Sequence, residues 1–204
     1  LKSVEKAENV TENGGENTQE KRYFAKVLWG GLLKSRKSAA LPGAKIYPPT
    51  LTNSDLANIK IANEMGVTGV MQPFVRDHSD LECVKEALRE AGAEDIRLFA
   101  KIENMDGVRK LEKLLPAADE IVIARGDLGN AVHLWDLPGV QRQISEKCRA
   151  AGKPFMVVTQ MLASMERSPV PTRAEVNDIF HAVMDGAASI MVTGETAVGD
   201  YPVE

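Results

Sequence analysis

The chain has 204 residues, 44% of them hydrophobic and 26% charged, with a net charge of −4. That length suits one large domain or two small ones with a sizeable core, and the composition excludes a disordered or fibrous protein. The mildly acidic balance supplies no electrostatic reason to bind nucleic acid or an anionic membrane.

Polar residues dominate Val4 to Glu20, and Asn13-Gly14-Gly15 is a turn signal. Tyr23 to Trp29 then reads as a strand ending at Gly30-Gly31. Lys2 to Gly31 is either a hairpin-like remnant of a small β-rich unit or, up to about residue 20, a disordered tail. Lys34, Arg36 and Lys37 form a short basic cluster that reads as a solvated loop. Leu41-Pro42-Gly43 breaks the chain, which divides into residues 1–40, the β-rich remnant, and 41–204.

From Thr50 onward, helix-like and strand-like segments alternate. Thr52-Asn53-Ser54-Asp55 offers N-caps for a helix to about Met65. A short apolar strand over Gly69–Gln72, starting near Val67, follows, then a helix over His78–Ala91 with Leu81, Val84 and Leu88 at helical spacing. The series continues with a strand over Arg97–Ala100, a helix over Asp106–Leu115 and a strand over Ile121–Ala124. A helix over Gly139–Ala151, a strand over Phe155–Val158, a helix over Thr172–Met184 and a strand over Ser189–Val192 complete it. Thr172 and Glu175 have capping-box spacing and are read as structural.

These short, uniformly apolar strands belong to a parallel sheet covered by helices. Tight βαβ repetition fits a doubly wound sheet or an eight-stranded barrel. Lys101 and Glu103, Arg125 and Asp127, Thr159, and Thr193 with Glu195 all follow directly after strands. In a parallel barrel such points converge on one end, so the expected fold class is α/β, a parallel (β/α)8 barrel of TIM type. Five βα units do not close it, so a partial barrel is expected: either its missing strands lie before Leu1 in a longer parent chain, the favoured reading, or other segments fill the gap. The opening Leu1, not Met, fits a processed chain or a fragment.

Glu103 sits two residues after Lys101, so in extended backbone both point to one side. Asp127 follows the next strand, and Gly126 frees the backbone there for close approach. Glu103 and Asp127 are the candidate ligands of magnesium or manganese, ions that take two protein carboxylates plus water and substrate oxygens. The amides of Gly126 and Asp127, and the Thr159 hydroxyl, are placed to meet a bound carboxylate. A surface salt bridge among Lys101, Glu103 and Arg125, and a helix N-cap at Thr159, are the competing structural readings. Thr193 and Glu195 suit helix capping as well as catalysis.

His78, His133 and His181 lack ligand-like spacing, and Met156, Met161, Met165 and Met191 read as core filler. Cys83 and Cys148 are far apart and outside any CxxC, which argues against a disulfide framework and a structural zinc site. With no secretory signal and no apolar run long enough to span a bilayer, a cytoplasmic location is expected.

The run KIENMDGVRKLEKLLPAADEIVIARGDLG resembles the core signature of pyruvate kinases. GKPFMVVTQMLASM, PTRAEVNDI and DGAASIMVTGETAVGDYP resemble later strands and loops of that family in the same order. LKSRKSAALPGA resembles the family's re-entry from its small lid domain into the barrel. The resemblance implies phosphoryl transfer from phosphoenolpyruvate to ADP, giving pyruvate and ATP. It implies that Lys101 steadies the phosphoryl group, that Glu103 and Asp127 hold Mg2+ or Mn2+, and that Gly126, Asp127 and Thr159 hold the substrate carboxylate. Thr193 stands where the family often has a serine on the proton path to the enolate. K+ is expected only in the parent protein, with ligands outside this chain, and the expected assembly is a homo-oligomer. Two departures from the family pattern are Pro73 in place of a common serine, and Asn130 to Trp135 in place of an acidic, proline-containing run. Two other readings are a divalent-metal-dependent pyruvate or enolate aldolase or lyase, and a non-catalytic fragment.

Overall fold

The computed structural model describes Val4–Val10, Glu20–Ala25, Val27, residues 30–32, Ser35 and residues 47–204. The chain divides into two compact units, Leu1–Ala40 and Leu41–Glu204. In the first, strands β1 (Val4–Val10) and β2 (Glu20–Ala25) pair antiparallel. The strand expected from Tyr23 starts earlier, at Glu20, and is described as far as Ala25. The turn signal at 13–15, the basic cluster of Lys34, Arg36 and Lys37, and the break at 41–43 lie outside the described residues.

The second unit opens with α1 (Asn53–Ile61), fixed by a reciprocal capping box between Thr52 and Asp55. It ends at Ile61 rather than near Met65. The chain turns back through Gly66 at φ +71°, with Val67 N–H donating to Ala62 C=O at 2.9 Å. Strand β3 (Gly69–Gln72) leads to α2 (His78–Glu90), capped by Asp77, with Leu81, Val84 and Leu88 buried as their spacing predicts. After β4 (Arg97–Ile102), the single helix expected over Asp106–Leu115 is two: α3 (Met105–Arg109) and α4 (Leu111–Leu114). The break at Lys110 redirects the chain while Val108, Leu111, Leu114 and Leu115 all stay buried.

All five residues of β5 (Glu120–Ala124) are buried, and α5 (Arg125–Ala131) begins at the next residue. Helix α6 (Leu137–Ala150), strand β6 (Phe155–Val158) and a 3₁₀ turn (Ala163–Glu166) follow. Helix α7 (Arg173–Met184) carries the expected Thr172–Glu175 capping box, and β7 (Ser189–Met191) and α8 (Gly194–Ala197) close the series.

Strands β3 to β7 form one parallel sheet in strictly sequential order. Its two faces differ. Leu98, Ala100, Ile102, Ile121, Ile123, Phe155 and Val157 join a core with Leu81 and Leu88 of α2, Leu111 and Leu114 of α4, Ile144 of α6 and Ala182 of α7. Val122, Ala124 and Val158, with Phe99, Met156 and Met191, form a separate cluster made of strand residues alone. Helices on one face only, and no reversal of strand order, exclude double winding and make this an open portion of a (β/α) barrel. Each fully buried aliphatic side chain contributes about 1.5–3 kcal/mol through removal from water. Of the four methionines read as core filler, Met161 and Met165 are buried and Met156 and Met191 pack against the strand cluster, whereas Met65, Met71 and Met184 are exposed. Both cysteines are free, Cys83 exposed and Cys148 buried. Among the described residues no helix is long and apolar enough to cross a membrane.

Candidate active site

Parallel register places Lys101 of β4 opposite Val122 of β5, so Lys101 lies on the strand-only face, the face that turns inward in a barrel. Its ammonium meets Glu103 Oε1 at 2.8 Å, with the Lys101 side chain 24% exposed and that of Glu103 2%. Glu103 Oε2 accepts the Phe74 N–H at 2.9 Å from the loop after β3. Each carboxylate oxygen therefore has one protein donor and keeps acceptor capacity. The Lys101 ammonium keeps two of its three donors for a ligand, because Glu103 is its partner among the described residues.

One strand further on, α5 starts directly at the end of β5. This puts the Gly126 and Asp127 amides in its first turn, ahead of the first intrahelical hydrogen bond. Asp127 is exposed, its carboxylate has no partner among the described residues, and its place in the first turn suits a negative charge. Gly126 is where Thr159 packs: a Cβ added there would stand 3.0 Å from Thr159 Cγ2 and 3.5 Å from Oγ1. Thr159 is half-buried and follows β6 directly, and among the described residues its hydroxyl has no partner. It does not act as a helix N-cap.

Thr193 is exposed at the end of β7. Its N–H donates to Glu195 Oε2 at 2.8 Å, while its hydroxyl stands 3.4 Å from that oxygen, too long for a strong bond. Glu195 is buried and accepts the Leu162 N–H at 3.0 Å through Oε1, so it braces the loop after β6 against the end of β7. Burial by itself raises the Glu195 carboxyl. The amide donors around it outweigh that and hold it below the ordinary carboxylate range.

The salt-bridge reading among Lys101, Glu103 and Arg125 is half right. Lys101 and Glu103 pair, but Arg125 pairs with Asp178 of α7 at 2.7 Å. Among the described residues, three non-glycine residues have left-handed backbone: Phe74 (φ +51°), Thr159 (φ +80°) and Gln160 (φ +55°). All three follow strand ends on the rim that carries Lys101, Glu103 and Asp127. Such strain costs about 1–3 kcal/mol per residue and gathers where function requires it. Sequence reading missed the Phe74 amide as a partner of Glu103. Its one visible signal was Pro73, the departure immediately before it.

A family model described as the pyruvate kinase barrel domain matches residues 10–204. The chain belongs to the pyruvate kinase family. It is 42% identical over 188 residues to a pyruvate kinase of Bacillus licheniformis, an alignment covering 92% of this chain and 32% of the relative. A pyruvate kinase of Geobacillus stearothermophilus is 43% identical over 178 residues, 87% of this chain and 30% of the relative. The human pyruvate kinase PKLR is 43% identical over 175 residues, 86% of this chain and 30% of the relative. The chain thus spans about a third of the length of the curated relatives it matches. The pyruvate kinase match and the one-sided, sequentially wound sheet agree on a barrel.

Among the described residues no group of three or more His, Cys, Asp or Glu side chains gathers into a metal cage. Glu103, buried, and Asp127, exposed at the next strand end, are the two carboxylates that could serve a Mg2+-type ion, whose shell also takes water and substrate oxygens.

Proposed function

We propose that this chain is the catalytic barrel portion of a pyruvate kinase that moves the phosphoryl group of phosphoenolpyruvate to ADP, giving pyruvate and ATP. The observation that carries the reading is the Lys101–Glu103 pair at 2.8 Å, on the inward face and one strand from Asp127. Phosphoryl transfer asks a protein for positioning and charge neutralisation more than for covalent chemistry.

In this reading Glu103 and Asp127 hold Mg2+ or Mn2+. The bound ion supplies positive charge against the phosphoryl oxygens and the departing enolate. Lys101 is steered by Glu103 and directs its two remaining donors at the transferring phosphoryl group. The Gly126 and Asp127 amides and the Thr159 hydroxyl hold the substrate carboxylate and orient the enol carbon. The phosphorus–oxygen bond to the enol breaks as an ADP oxygen bonds to phosphorus, and the enolate then takes a proton at carbon. Thr193 stands on that proton's path. K+ and nucleotide contacts come from parts of the parent protein outside this chain. Leu1–Ala40 is the remnant of a small β-rich lid domain. A cytoplasmic homo-oligomer, with no nucleic-acid or membrane partner, completes the reading.

The test is Mn2+ binding by electron paramagnetic resonance, followed by pyruvate binding in its presence. ATP formation from phosphoenolpyruvate and ADP is measured in the parent protein that carries the nucleotide contacts, since the chain alone is expected to be weakly active or inactive. Glu103→Gln is expected to weaken Mn2+ by about 100-fold through loss of one carboxylate ligand. Wild-type chain that binds no Mn2+, or Lys101→Met with unchanged ATP formation, would overturn the reading. Aldol cleavage of a pyruvate-derived substrate without ADP would favour a metal-dependent lyase instead.

A further inference from the structure

Arg125 is charged, 13% exposed and adjacent to Gly126 and Asp127, yet its donors are directed elsewhere. Nη1 donates to both oxygens of Asp178, at 2.9 and 2.7 Å. Nε and Nη2 both donate to the Thr159 carbonyl, at 3.2 and 2.7 Å. Nη2 also approaches the Gln160 carbonyl at 3.4 Å and Met161 Sδ at 2.9 Å. One guanidinium therefore joins the end of β5, the loop after β6 and α7.

That loop is the strained one. Thr159 and Gln160 are consecutive left-handed residues, and a β-branched side chain disfavours that backbone strongly. The strain persists only where the surroundings over-determine it. Here the surroundings are the guanidinium, which grips the Thr159 carbonyl with two donors and only approaches the Gln160 carbonyl, and Gly126, against which the Thr159 side chain rests. We propose that Arg125 is a positioning residue: anchored on Asp178, it holds Thr159 and Gln160 left-handed and so sets the Thr159 hydroxyl beside the Gly126 amide, where the substrate carboxylate binds. The proposal rests on the carboxylate-binding role given to Gly126 and Thr159 above. Lysine cannot replace this arginine, because a point charge cannot grip a carbonyl with two donors and a carboxylate with another at the same time.

Two readouts test it in the full chain. Hydrogen–deuterium exchange reports the loop without any ligand. Arg125→Lys is expected to speed exchange at 159–162 by about tenfold and to leave 97–104 unchanged, since Lys101 and Glu103 do not contact Arg125. Asp178→Asn, which keeps the guanidinium, is expected to give the same pattern at about threefold. The second readout separates positioning from general damage. Arg125→Lys is expected to weaken pyruvate about tenfold at saturating Mn2+, with Mn2+ affinity itself unchanged. Unchanged loop exchange overturns the proposal. So does faster exchange with pyruvate affinity intact, or an equal loss for pyruvate and Mn2+. Wild-type chain that binds Mn2+ but not pyruvate overturns the carboxylate-site reading instead, and loop exchange then judges the Arg125 strap alone.

Discussion

Lys101→Met isolates the interaction on which the site depends. The Glu103 carboxylate is 2% exposed and has two protein partners, the Lys101 ammonium at 2.8 Å and the Phe74 amide at 2.9 Å. Removing one partner of a buried pair typically costs about 3–5 kcal/mol, because the remaining charge is left uncompensated. Lys101 is about a quarter exposed and the Phe74 amide remains, so the low end applies, about 3 kcal/mol. Glu103→Gln leaves an ammonium that can reach water, at a cost of about 1–2 kcal/mol. The double variant has no buried charge to strand, so it should be more stable than the sum of the single losses implies, by about 2 kcal/mol. Urea unfolding of the four proteins, followed by circular dichroism, measures this coupling. The same substitution also changes cation binding. Lys101 occupies one oxygen of Glu103 and repels a dication, so Lys101→Met should bind Mn2+ about tenfold more tightly, while the parent protein carrying it should lose the phosphoryl transfer proposed above. Additive stability losses, together with weaker Mn2+ binding, would refute the reasoning.

Asp80 is buried. It accepts from Arg76 Nη2 at 2.6 Å, Arg76 N at 2.8 Å and Thr50 Oγ1 at 2.6 Å. Burial alone raises this carboxyl, but the donors from Arg76 and Thr50 outweigh it and hold it at about 2, against an ordinary 3.8. Its contribution of about 2 kcal/mol is therefore complete above pH 4 and lost as pH falls towards 2. Asp80→Asn should flatten that limb of an acid-unfolding profile, and an unchanged profile would contradict the assignment. Gly107→Ala places a Cβ 2.7 Å from the Val75 carbonyl oxygen, which also accepts the Asn104 amide at 3.1 Å. The backbone has to shift, so a loss of about 1–3 kcal/mol is expected in thermal melts. Burial pushes the Cys148 thiol up to about 12, whereas Cys83 is exposed. Iodoacetamide near pH 8 should label Cys83 in the native chain and Cys148 only after unfolding, as mass spectrometry would show.

What could be read directly from the sequence was whatever depends on neighbours within a turn or two. Apolar runs marked the strands β3 to β7, and the Thr172–Glu175 spacing marked the start of α7 because both capping partners lie three residues apart. Polar residues after successive strands pointed to a shared rim because a parallel sheet aligns its C-terminal ends. The pairing of Lys101 with Glu103 followed from the two-residue repeat of an extended strand.

The rest depended on residues far apart in the chain. Phe74 reaches Glu103 across 29 residues, Arg125 reaches Thr159 across 34 and Asp178 across 53. Nothing local distinguishes Arg125 from a solvated charge, or marks Thr159 and Gln160 as left-handed. The break at Lys110 was hidden for the same reason, since α3 and α4 together read as one helical stripe. Periodicity and caps are written in nearest neighbours. Which distant carbonyl meets a guanidinium, and which strained loop it holds, is decided only when strands and helices have packed.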